Sequence, residues 1–148
     1  MAENFVDTTI GANENCGQWE IGMSIRKTRE LYNADNTISA YCIEYQNSNN
    51  KESGYVVVGA NEKYPPIVEF AFEGSFANTD EKLYYLGDES YDYYKKDSNN
   101  ELQGISTKKA IGSCEDIEKE QKKERKKHTG DFSKEWKEAR DIIRVGKI

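Results

Sequence analysis

The chain reads as an α+β domain, an antiparallel meander sheet of about five strands with C-terminal helices packed on one face. Three observations predict this. Between Ile21 and about Ser106, short runs of alternating apolar and polar residues are separated by clusters of turn formers. After Ser113 the apolar spacing lengthens to that of a helix. Aromatic residues make up 11% of the 148 positions, too many for a disordered chain, although 36% hydrophobic against 32% charged residues leaves a lean core.

Residues 1–18, with Gly11, Asn13, Asn15 and Gly17, lack periodicity and read as a loose N-terminal arm. The sheet domain spans residues 19–112. Ser24–Tyr32 is its first strand, closed by Asn33-Ala-Asp-Asn36, a run of turn formers. Ile38–Gln46 alternates, with Tyr41, Ile43 and Tyr45 on one face and Ala40, Cys42 and Glu44 on the other. Asn47–Ser53 is a polar hairpin loop. Gly54–Gly59 contains Tyr55-Val-Val-Val58, apolar on both faces, as a central strand requires. Tyr64-Pro65-Pro66 marks a rigid turn, with both X–Pro bonds expected trans. Ile67–Glu73 then alternates, placing Val68, Phe70 and Phe72 inward and Glu69 and Glu73 outward. Leu83–Leu86 and Tyr91–Lys95 are two further short strands.

Residues 113–148 form a charged helical tail. Ser113 with Asp116 resembles an acidic capping box. From Glu115 to His128 the only large apolar residue is Ile117, so this helix is expected to be solvated and held by neighbouring opposite charges. Thr129-Gly130 stops it, and Asp131 or Ser133 caps a second helix. There Trp136, Ala139 and Ile143 form a stripe with Ile142 beside it, expected to dock on the open apolar face of the sheet.

Charge and cysteine usage exclude several functions. Residues 115–148 carry 9 acids against 11 Lys/Arg, leaving 18 against 10 in the first 114, so the body stands at −8 and the tail at +2. Such a body repels phosphate backbones, and nucleic acid is not an expected partner. The basic run Lys122–Lys127 is interleaved with acids and reads as a solvated face. No apolar run approaches the length of a membrane span, and Met1-Ala2-Glu3 does not open a signal peptide. Cys16, Cys42 and Cys114 lack metal-ligand spacing, and with one histidine no zinc site or other cofactor is expected.

Cys16 sits in Asn15-Cys-Gly-Gln-Trp19, a Cys-Gly neighbourhood of the kind cysteine hydrolases use, and its only candidate base is His128 in the lysine-rich run. An ordinary arm cysteine is the expected reading. The tyrosines at 84, 85, 91, 93 and 94 suit either a stacking platform or cross-strand packing. The chain shows no phosphate loop and no Ser-His-Asp set, so no catalytic residue is expected.

Gly54-Tyr-Val-Val-Val-Gly-Ala60 and Tyr64-Pro-Pro-Ile-Val-Glu-Phe-Ala-Phe-Glu-Gly-Ser75, with Lys82-Leu-Tyr-Tyr-Leu-Gly87, carry a resemblance. In this order, with Leu31-Tyr-Asn33 and Ile38-Ser-Ala-Tyr41 upstream, they resemble the propeptide-like and inhibitor domains of secreted Gram-positive papain-fold cysteine peptidases, the streptopain propeptide and its relatives. The likeness covers roughly residues 25–95. It implies a non-catalytic inhibitor or folding chaperone of a cysteine peptidase, in cis or in trans. It also implies a secreted or cell-surface location, with the export signal outside these residues. The partner-binding residues expected on this reading are Tyr64, Pro65 and Pro66 at the proline turn and Tyr84, Tyr91 and Tyr93 on the later strands. Contact is expected to rest on aromatic and backbone groups more than on charge. The alternatives are a surface module for another protein or a glycan, and a cysteine hydrolase using Cys16 and His128.

Overall fold

Four strands follow one another as a meander, β1 (Ser24–Tyr32), β2 (Ile38–Gln46), β3 (Glu52–Gly59) and β4 (Ile67–Ala71), each antiparallel to the one before. A second antiparallel meander holds β5 (Tyr94–Lys96), β6 (Glu101–Gly104) and β7 (Ala110–Ser113). The computed structural model describes residues 5–7, 9, 10, 17, 19, 20, 23–49, 51–77, 79–87, 92–127 and 132–146. Both X–Pro bonds of the Tyr64-Pro65-Pro66 turn are trans there.

The architecture is therefore two sheets, where the sequence predicts one of about five strands. Leu83–Leu86 builds no ladder of its own. It is spliced between the sheets instead. Tyr32 N–H donates to the Leu83 carbonyl (3.1 Å) and Tyr85 N–H to the Tyr32 carbonyl (2.9 Å). On the other side Tyr84 and Tyr94 exchange both backbone bonds at 2.8 and 2.9 Å. The β5–β6 turn has a local cause. The Asp97 carboxylate accepts from Asn99 N–H (2.8 Å) and Glu101 N–H (3.0 Å), while Asn100 takes the left-handed conformation that asparagine tolerates (φ 61°).

Both faces of the four-stranded sheet are buried. Leu31, Ala40, Cys42 and Val57 pack under Tyr64, Leu83 and Tyr85. On the opposite face Tyr45 and Val56 pack against Val6 and Trp19, with Phe5, Ile10 and Phe72 beside them. The arm that reads as loose thus buries Val6 to 2% exposure, and the Trp19 and Phe72 rings meet edge to face at 4.8 Å. Its apolar residues flank the Gly/Asn stretch that dominates its composition. This arm covers the face for which the sequence nominates the C-terminal helix.

The helices are held at sheet ends and are not packed on one face. In the charged helix Cys114–Lys127, Ser113 Oγ accepts the Asp116 N–H at 3.2 Å, the predicted cap. Its first half is docked, contrary to expectation. Ile117 is 7% exposed among Ala34, Tyr84, Leu86, Tyr94 and Leu102, and Gln121 Nε2 donates to the Leu86 carbonyl at 3.1 Å. One isoleucine over a waiting apolar pocket suffices to dock a helix that its hydropathy marks as solvated.

The C-terminal helix Ser133–Gly146 is anchored to the β3–β4 turn. Phe132 N–H donates to the Glu62 carbonyl (2.7 Å) and the Trp136 indole N–H to the Tyr64 carbonyl (2.8 Å). Trp136 is half-buried. Trp136→Ala is therefore expected to cost about 2 kcal/mol, below the range of a fully buried ring, and Trp136→Phe about 1 kcal/mol for the lost bond. Denaturant unfolding of the two variants checks this. A wild-type midpoint for both would place the ring outside any stabilising contact.

Candidate functional site

The nominated partner-binding residues are mostly structural. Tyr64 is 4% exposed, and its hydroxyl accepts from Asn33 Nδ2 at 2.7 Å. Pro66 is buried beside a half-buried Pro65. Tyr84 is 3% exposed in the seam between the sheets. Tyr93 is half-buried and donates to Glu69 Oε2 at 2.6 Å. These rings point into the fold and offer a partner little surface. Tyr91, Cys16 and His128 lie outside the described residues.

Glu69 does not face outward as the alternation predicts. A bulge between the pairs Val58↔Ile67 and Val57↔Glu69 turns it to the face of Val57 and Tyr55. There it accepts from Tyr55 (2.7 Å) as well as Tyr93, so one carboxylate ties β4 to the approach of β5. Burial and then this bond push both phenols up from their ordinary range.

The other buried ionisable groups hold backbone too. Glu44, 6% exposed, accepts from the Phe76 N–H at 2.7 Å. Asp92, 4% exposed, accepts from the N–H groups of Tyr93 (2.8 Å), Thr107 (3.1 Å) and Ser106 (3.2 Å). Burial alone would raise the Asp92 carboxyl, but these donors outweigh it and hold it below the usual range. Cys42 and Cys114 are free thiols, and burial pushes Cys42 up, with Glu44 adding to the effect. Among the described residues no group of His, Cys, Asp or Glu is placed to hold a metal ion. No helix among them is long and apolar enough to cross a membrane.

What remains open to a partner is the outer edge of β1. Residues 24–28 and 30 are exposed, and Ile25, at 46%, is one of three exposed large apolar side chains among the described residues. The other two, Phe70 and Ile111, lie on the remaining outer strands β4 and β7, which are shorter. Among the described residues, Tyr32 is the β1 residue with backbone-to-backbone bonds beyond the β1–β2 ladder, and the Leu31 carbonyl also accepts from Ser39 Oγ at 3.3 Å. The pattern Arg26-Lys-Thr-Arg29 puts three cations on this edge in a body that is otherwise acidic.

The loop at 79–82 lies alongside. Arg29 Nη2 donates to the Thr79 carbonyl at 2.5 Å, and Lys27 Nζ meets Asp80 Oδ1 at 2.9 Å. Arg26 pairs with Glu52 across the sheet. The Lys27 and Arg26 bonds hold Asp80 and Glu52 below the usual carboxylate range. Between strand and loop run two grooves of about 400 and 430 Å³, one lined by Arg26, Glu44 and Ser75, the other by Thr28, Tyr41 and Lys82. Lys27 and Asp80 line both. The sequence shows the cations, but which strand is outermost is a matter of pairing that alternation does not carry. Compared with protein-family models, curated proteins and solved structures, the chain finds no match.

Proposed function

We propose that the domain is a non-catalytic, propeptide-like binding module that inhibits a papain-fold cysteine peptidase or assists its folding, in cis or in trans, outside the cell. The observation that carries this reading is the outer edge of β1, the first strand in the sheet order, whose residues 24–28 and 30 are exposed. An extended segment of a partner adds to such an edge through main-chain hydrogen bonds, and neighbouring side chains set the specificity. Pairing through this edge with the enzyme's backbone, the domain would cover the substrate cleft without being cut. The likeness of residues 25–95 to peptidase propeptides supports the same choice of partner.

The test is to titrate the full chain into a papain-fold cysteine peptidase of a Gram-positive bacterium and follow substrate cleavage. Inhibition at micromolar domain is expected. A second arm measures the refolding yield of the denatured peptidase with and without the domain. Absence of inhibition removes the inhibitor role, and failure in both arms overturns the reading.

A further inference from the structure

Outer strands invite unwanted pairing, and proteins protect them with charge and irregularity. The β1 edge has both. Arg26 has no partner in the β1–β2 register, which shifts between Ile25 and Lys27, so the strand is bulged there. Lys27 and Arg29 follow on the face shared with Glu44 and Cys42. Two copies of this strand laid antiparallel would bring six cations together, and like charges across a ladder repel. An apolar strand that displaced Thr79 and Asp80 would offer Arg29 and Lys27 no acceptor side chain in exchange. A strand bearing carboxylates meets neither obstacle.

The chain itself supplies a stand-in for such a strand. Thr79 offers Arg29 a backbone carbonyl, and the next residue, Asp80, offers Lys27 a carboxylate. These are the two groups that an extended acidic segment presents. The Asp80 side chain is 98% exposed, so its pair with Lys27 sits in water and is exchanged at little cost.

We propose that the outer edge of β1 is a docking site for an extended acidic segment of a partner protein, with a carboxylate set against Lys27, and that Thr79–Asp80 holds this position in the unbound domain. The inference rests on the binding reading above and adds the chemistry of the strand that is bound. Main-chain bonds supply most of the affinity, and the acid fixes register and selects the partner. Polyanions do not fit this edge. A long phosphate chain is repelled by the body's net charge of −8, which one or two carboxylates meet far more weakly.

Two decapeptides with blocked ends test the proposal, both alternating threonine and valine, one with two central aspartates and the other with two central lysines. Each is titrated into the full ¹⁵N-labelled chain while the amides of residues 24–31 are followed. The aspartate peptide is expected to shift these amides and to bind about two- to fivefold more tightly, the scale of one exposed ion pair. Lys27→Glu should reverse the order of the two peptides. Asp80→Asn, which frees Lys27, should strengthen the aspartate peptide severalfold. Equal affinities, an order unchanged by Lys27→Glu, shifts confined to β4 or β7, or no binding at millimolar peptide overturn the proposal. Peptidase inhibition that persists without any peptide preference removes the acidic edge and leaves the inhibitor reading standing. Peptide preference without inhibition does the reverse.

Discussion

Leu83→Ala is expected to lower the unfolding free energy by about 2–5 kcal/mol, a large part of what a domain of this size possesses. Leu83 is fully buried among Leu31, Ala40, Cys42 and Val57. Its backbone is fixed on both sides, because its carbonyl accepts from Tyr32 while the adjacent Tyr84 pairs with Tyr94. The segment cannot sink into the space the missing methyl groups leave, so the cavity persists and the cost falls toward the upper end. Lys82→Ala is the control. That side chain is exposed, lies over the Tyr32 ring at 4.3 Å, and should cost less than about 1 kcal/mol. Urea midpoints of the two variants decide the matter. Equal losses would mean that Leu83 does not fill the core beneath the seam.

Asp92→Ala is expected to cost about 3 kcal/mol, because two backbone donors at the β6–β7 turn and the N–H of Tyr93 lose an ionised acceptor. The effect depends on pH with a definite sign. The folded carboxyl lies below its ordinary value, so its contribution is complete above the unfolded pKa of about 3.9 and is lost as pH falls through the folded value. The stability gap between wild type and Asp92→Asn should therefore be constant near neutrality and shrink as pH drops below about 4. A gap that widens in acid would contradict the assignment. Gly104 reports on the same site, since a Cβ there would stand 2.3 Å from both Asp92 Oδ2 and Thr107 Oγ1. Gly104→Ala should reproduce much of the loss by displacing the carboxylate without removing it.

The local parts of this fold were legible. Ser24–Tyr32 and Ile38–Gln46 form at the residues where alternation and the turn formers between them place strands. Ser113 caps the charged helix as its hydroxyl and spacing require. What the sequence hid are relations between distant segments. The bulge that turns Glu69 inward leaves Val68 of β4 unpaired and shows only in the register against β3, and the Tyr84 seam depends on partners early and late in the chain. β6 and β7 are four residues each, too short to show a period. The tyrosines suggest a surface and serve a core, because a phenol satisfied by a carboxylate or amide is as well placed inside as out. The β1 edge was not legible, because its outermost position belongs to the sheet order and not to any local pattern.

The seam at Tyr84 also bears on how the molecule opens. Each meander is built from neighbouring hairpins and has the local contacts that form early in folding. Joined through a single residue, the two would still fray separately if that residue carried the connection alone. It does not, because Leu83 and Tyr85 seat in one core while Tyr84 and Leu86 seat in another. The amides of Tyr84, Tyr85 and Tyr94 should accordingly be among the slowest in hydrogen exchange, released only by global opening, with the two sheets lost as one cooperative unit.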